Sequence, residues 1–215
     1  MSDRIRIVML SGSYQYDSED SLNVTRDYLV ARLPVSVEIL QWADEQDEVD
    51  LSPIDEADVL LVFARRLLTD GADLERLRKY CADGRPVVGL RTASHAFQNW
   101  PEFDGQVLGG NYQGHYEAGR VTQVEVAPGA EGHPLLEGTI PFQAFGSLYR
   151  NDPLPAGSQV LLTGWDGSHR EPVAWTRDRG GSRAFCASLG CQRDFWEYDF
   201  LRLIENAVMW VSGPD

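Results

Sequence analysis

The chain has 215 residues, 43% of them hydrophobic and 24% charged, and carries a net charge of −14. A chain of this length buries about 70% of its extended surface, so one domain over residues 1–215 is expected and no disulfide is needed. The acidity, uninterrupted by any Lys/Arg-rich block, argues against nucleic acid and anionic membranes as partners, and no apolar run approaches the roughly 18 residues of a membrane span.

The first apolar run, IRIVMLSG (5–12), reads as a buried parallel strand. After the loop SYQYDSED, Asp17 or Ser18 is placed to cap a helix whose apolar face is Leu22, Tyr28, Leu29 and Leu33, with Pro34 as its stop. VSVEILQW (35–42) is a second strand, and the acidic stretch that follows is a solvated linker. ADVLLVFARR (57–66) is a third strand ending in two arginines. Thr69 or Asp70 then caps a helix that Gly84 terminates, and PVVGL (86–90) is a fourth strand. This alternation predicts a doubly wound α/β sheet, whose ligands bind outside the carboxyl ends of the strands. The second half is richer in strands: VTQVEVAPG, FQAFGSLYRN, SQVLLTGWDG and a hairpin, VAWTRD–RGG–SRAFCASL, turning at Gly180 and Gly181. YDFLRLIENAVMWV closes the chain as an amphipathic helix.

Cys81, Cys186 and Cys191 form an odd, sparse set that suits a reducing compartment. The opening MSDRIRIVML lacks a charged leader before a long apolar stretch, so a cytoplasmic protein is expected. GGNYQGHY is not a phosphate loop: it lacks Gly-Lys-Ser/Thr and the Gly-x-Gly-x-x-Gly spacing before a helix.

The segments SGSYQYDSEDSL, PVVGLRTASHAFQNW, VLGGNYQGHY, GHPLLEG, GSLYRN and EPVAWTRDRGGSRAFCASLG together resemble the ThuA-like (trehalose utilisation) family over nearly the whole chain. The resemblance implies the fold of class I glutamine amidotransferases. That fold is an α/β, flavodoxin-like three-layer sandwich with a mainly parallel sheet, here with a strand-rich C-terminal half. It also implies a link to disaccharide and keto-sugar metabolism, and a homodimer, because related folds often pair.

Glutamine amidotransferases place a cysteine in a Gly-hydrophobic-Cys-x-Gly turn after a strand. Gly89-Leu90-Arg91-Thr92-Ala93 occupies the matching place, so Arg91 stands where the thiol would be, and a guanidinium cannot attack a carbonyl. ThuA-like proteins usually keep a histidine after Ser-Leu-Gly, where this chain has Cys191. Glutamine hydrolysis by the inherited mechanism is therefore not expected.

Strand ends and loops nominate a rim. Ser13, Tyr14 and Gln15 follow the first strand, and Arg65 and Arg66 the third. Arg91, Ser94 and His95 come from the turn; Asn111, Tyr112, Gln113 and His115 from the Gly-rich loop; Tyr149, Asn151, Cys191, Arg193 and Asp194 from later segments. Neutral hydrogen-bonding groups and aromatic rings suit a small polar ligand, and with the family resemblance a sugar. His115 and His95 are the candidate acid/base groups, because imidazole titrates near neutrality. Arg91 either binds an anionic group through its planar fork or pairs with a carboxylate such as Asp194, and the acidity of the chain favours the second. His133, before Pro134, reads as a turn cap. No His-x-x-x-His or Cys-x-x-Cys occurs, so no cofactor is expected; zinc on His95, His115 and Cys191 would require the fold to gather them.

Overall fold

A computed structural model of the chain describes residues 4–178 and 182–213. The apolar run at the start is β1 (Ile5–Gly12), followed by α1 (Ser18–Arg32) and β2 (Val35–Gln41). Then come β3 (Val59–Ala64), α2 (Gly71–Ala82) and β4 (Val87–Leu90). The second half supplies β5 (Val121–Val126), β6 (Phe142–Phe145), β7 (Ser158–Trp165), β8 (Arg170–Asp178), β9 (Arg183–Ala187) and α3 (Tyr198–Ser212). Asp17 and Asp70 take the N-cap positions of α1 and α2, but neither side chain makes the capping bond. Ser18 Oγ instead accepts from the Ser13 amide at 2.8 Å. His133 does cap its turn, its Nδ1 accepting from the Leu135 amide at 3.2 Å.

All nine strands form one sheet in the order β2-β1-β3-β4-β9-β8-β7-β5-β6. This corrects the expected flavodoxin-like sandwich with a mainly parallel sheet, although the α/β class stands. The pairs β2–β1, β1–β3, β3–β4 and β4–β9 are parallel, while β9–β8, β8–β7, β7–β5 and β5–β6 are antiparallel. For β7–β8 and β8–β9 the cause is connection length. A parallel return needs a crossover of about a dozen residues or more. Four residues, 166–169, separate β7 from β8, and four positions separate β8 from β9, too few for that crossover. Gly180 and Gly181, predicted to make the second of these turns, lie outside the described residues.

Alternation along the strands splits the core between the two faces of the sheet. Ile7, Met9, Leu61 and Phe63 face the side covered by α1 and α3, whose buried residues include Leu22, Leu29, Phe200, Ile204 and Val208. Val8, Leu10, Leu60 and Val62 face the side covered by α2, through Leu74, Leu77 and Tyr80. Cys186 and Cys191 are free thiols. No described helix is long and apolar enough to cross a membrane.

Candidate functional site

β4 is buried along its length and ends at a sharp turn. Arg91 follows with φ of 47°, in the left-handed region that bulky residues avoid, and opens a 3-10 turn over Arg91–His95. Gly89 makes the turn possible: a Cβ there would lie 2.9 Å from Leu108 Cδ2 and 3.3 Å from Ala93 Cβ. The chain therefore keeps the strand–turn geometry that elsewhere presents a nucleophile, and fills it with a guanidinium.

Arg91 is 2% exposed. Its Nη1 donates to Ser188 O at 2.8 Å, and its Nη2 to Ser147 O at 2.9 Å and Ser147 Oγ at 3.2 Å. It stacks over Tyr149 at 4.1 Å and Tyr16 at 5.2 Å. Burial draws its pKa down, but Tyr149, Tyr16 and Asp194 outweigh burial and raise it above the usual value. Asp194 is not its direct partner. Asp194 Oδ1 accepts from the Phe145 amide at 2.7 Å, and Oδ2 from the Gly190 and Cys191 amides at 2.9 and 3.0 Å. The carboxylate is used to fold the 190–196 turn. Cys191 caps that turn with its own side chain, and burial followed by the neighbouring Asp194 pushes its thiol pKa upward, away from a reactive thiolate.

Four rings gather over the elbow. Tyr112 stacks on His95 at 4.7 Å and leans on Tyr149 at 4.6 Å. His115 stacks on Tyr149 at 6.4 Å, and its backbone bridges to the same residue. Tyr112 is held by its amide, which donates to Asp104 Oδ2 at 2.8 Å. His95 Nδ1 lies 3.0 Å from Ser94 Oγ. Burial, then the charges of Arg65, Arg66 and Arg91, lower the His95 pKa to about 4, so the ring is neutral at physiological pH. His115 is exposed, and its Nδ1 is 2.8 Å from the Tyr116 carbonyl. A carbonyl only accepts, so Nδ1 carries the hydrogen and, in the neutral ring, Nε2 presents a lone pair.

The remaining predicted residues divide. Tyr14 is 53% exposed, and the side chain of Gln15 lies outside what the structure describes. Ser13 is fully buried and accepts from Thr92 Oγ1 at 3.0 Å, tying β1 to the elbow. Asn111 and Gln113 donate to Pro153 O at 2.8 Å and Asp152 O at 3.2 Å, which spends their amide groups on a neighbouring loop. Buried Asn151 is likewise spent, its amide on Glu171 Oε2 at 2.9 Å and its side chain on Pro172 O at 3.2 Å. Arg193 stacks over Phe145 at 3.8 Å. Tyr16, Asp104, Ser147 and Ser188 escape the sequence reading. Tyr16 has a faint signal, a second tyrosine in SYQY, and Asp104 another, a carboxylate in an apolar stretch beside the Gly-rich loop. Ser147 and Ser188 contribute chiefly backbone carbonyls, which leave no trace in side-chain chemistry, with Ser147 Oγ a weaker second acceptor at 3.2 Å.

Among the described residues no cluster of three His, Cys, Asp or Glu side chains suits a metal ion. An open depression of about 750 Å³ lies at the N-terminus of α2, between Trp42 and Asp73. It is ringed by carboxylates and includes none of the predicted residues.

Fold and site thus define an α/β protein whose β4 ends in a tight turn headed by a buried arginine. The trehalose utilisation (ThuA) family matches residues 6–211, and the chain belongs to that family. It is similar in structure to a ThuA-like protein from Bacteroides uniformis ATCC 8492, at 18% identity and a TM-score of 0.75, covering 98% of this chain and 93% of that one. A ThuA-like protein from Parabacteroides merdae ATCC 43184 gives 18% identity and a TM-score of 0.76, covering 97% and 90%. A GMP synthase protein from Thermoplasma acidophilum shares the fold at 12% identity and a TM-score of 0.61, covering 97% and 94%. No curated protein matches the sequence.

Proposed function

We propose that this protein binds a sugar or keto-sugar at the carboxyl ends of β3 and β4 and acts on it by proton transfer, without glutamine amidotransferase activity. The observation that carries the reading is the ring cluster: Tyr112 stacked on a neutral His95, beside an exposed His115 with a free Nε2. Aromatic faces pack against the C–H faces of sugar rings, and neutral imidazoles and hydroxyls meet sugar hydroxyls. Membership of the trehalose utilisation family supports the same class of ligand.

In this reading His115 Nε2 takes a proton from carbon next to a carbonyl and returns it to the neighbouring carbon or oxygen. Neutral His95 and Ser94 hydrogen-bond the sugar oxygens. Tyr112 and Tyr14 pack on the ring. Arg91, with both Nη groups committed to Ser188 and Ser147, acts through its fixed charge behind Tyr149.

Deuterium exchange tests the proposal. A ketohexose incubated with the protein in deuterated buffer should gain deuterium beside its carbonyl, followed by NMR. His115→Ala should slow this by about a hundredfold or more while the fold survives. Exchange at the wild-type rate in the variant would remove His115 as the base. Binding of the sugar with no exchange in the wild type would favour a non-catalytic binding protein, the reading that the nucleophile-free elbow and Cys191 support.

A further inference from the structure

The edge beside His95 runs against the charge of the chain. The protein carries 33 acidic and 19 basic residues, yet the charges acting on His95 and Tyr112 include Arg65, Arg66 and Arg91 and no carboxylate among those named for either ring. Arg91 spends its Nη donors on neutral oxygens and turns none of them to a carboxylate. Arg65 approaches one carboxylate, Glu45, at 3.8 Å, beyond hydrogen-bonding distance. Arg66 is exposed, and its side chain makes no hydrogen bond or ion pair among the described residues.

Arg66 is also held in place. Its φ is 55°, left-handed like that of Arg91. Its amide donates to His95 O at 2.9 Å, and its carbonyl accepts from Gln98 Nε2 at 2.6 Å. The end of β3 is thus zipped onto the elbow turn, and the Leu67–Phe97 bridge continues the zip. A pinned backbone with an open guanidinium fork, beside a second under-compensated arginine, is the arrangement that grips carboxylate or phosphate through paired N–H groups. In a chain with an excess of carboxylates, leaving the Arg66 fork uncapped, and Arg65 with a single carboxylate at 3.8 Å, keeps the position open to a negative charge from outside.

We infer that the ligand of this site is an anionic sugar, its carboxylate or phosphate held by Arg66 and Arg65 and its ring placed against Tyr112. This rests on the sugar-binding reading and narrows it to charged sugars.

Calorimetric titration of the whole chain with glucose, glucuronate and glucose 6-phosphate at fixed ionic strength tests it. At least one of the two anions should bind tenfold or more tightly than glucose, and which one does so separates carboxylate from phosphate. The Arg65→Gln/Arg66→Asn double variant should lose that preference and keep its far-ultraviolet circular dichroism. Asn is chosen because it tolerates a left-handed φ. Glucose binding as tightly as both anions, or undiminished anion affinity in the double variant, would overturn the inference and leave the sugar-binding reading standing. Failure of all three probes to bind would remove both.

Discussion

Asp104 and His95 both hold Tyr112, the first through its amide and the second against its ring, and they titrate in opposite senses. Burial raises the Asp104 carboxyl from the usual 3.8 to about 6, because Oδ1 has no partner and only the Tyr112 amide relieves Oδ2. The folded state therefore binds this proton more tightly than the unfolded chain, and stability is lost as pH rises from about 4 to about 6. His95 is lowered from 6.5 to about 4 by burial and the arginines. Its contribution is present above 6.5 and lost as pH falls towards 4. In the wild type the two slopes oppose each other over one window. Asp104→Asn should unmask the histidine, so that urea-unfolding stability rises with pH between 4 and 6.5 more steeply than in the wild type, by up to roughly 3 kcal/mol across the window. His95→Gln should do the reverse. A pH profile unchanged in both variants would mean that neither group is perturbed as its surroundings dictate.

The element that delivers Tyr112 is the single π-helical turn over Asp104–Leu108, packed against the elbow through Gly89 and ended by a left-handed Gly109. Two glycines at this turn make a paired test. A Cβ on Gly110 would overlap Asp104 Oδ1, whereas one on Gly105 meets only Gly110 O at 3.9 Å, and neither residue has a positive φ. Gly110→Ala should cost about 1–3 kcal/mol and displace Tyr112, weakening ligand binding. Gly105→Ala should be neutral or add up to about 1 kcal/mol by restricting the unfolded chain. Thermal unfolding of both variants measures the contrast; equal effects would show that the fit around Asp104 is looser than its packing implies.

Elements of this kind also mark what the sequence can and cannot disclose. β1, β3 and β4 are legible because burial on both faces writes a continuous apolar run, and the rim at their carboxyl ends follows from parallel connectivity. The π-helical turn is illegible because its residues, DGQVL, have no period that separates it from a loop. The acidity of the chain points Arg91 to a carboxylate, yet its partners are carbonyls, since backbone oxygens offer no residue type to search for.

At the scale of the whole molecule the sheet has two regimes that meet at β9, parallel to β4 and antiparallel to β8. The parallel half supplies the elbow, His95 and the arginines. The segments outside it supply Tyr112, His115 and Tyr149, and β8 anchors the last two through Glu171. That side chain is 6% exposed. It accepts from the Asn151 and Asp152 amides and from Tyr116 Oη, each at 2.9 Å. One carboxylate thus fastens the residues following Tyr149 and His115 to the sheet. Glu171→Ala leaves two amides without their acceptor, at a cost of about 2–4 kcal/mol. The loss should be local, because β1, β3 and β4 make none of these bonds. Hydrogen exchange should quicken at 113–116 and 149–152 and stay slow in the parallel strands, with ligand affinity falling before global stability is exhausted. Uniform loss of protection across all nine strands would show instead that the antiparallel half is part of one cooperative core, and unchanged exchange at 113–116 would show that the loop is positioned by its rings rather than by Glu171.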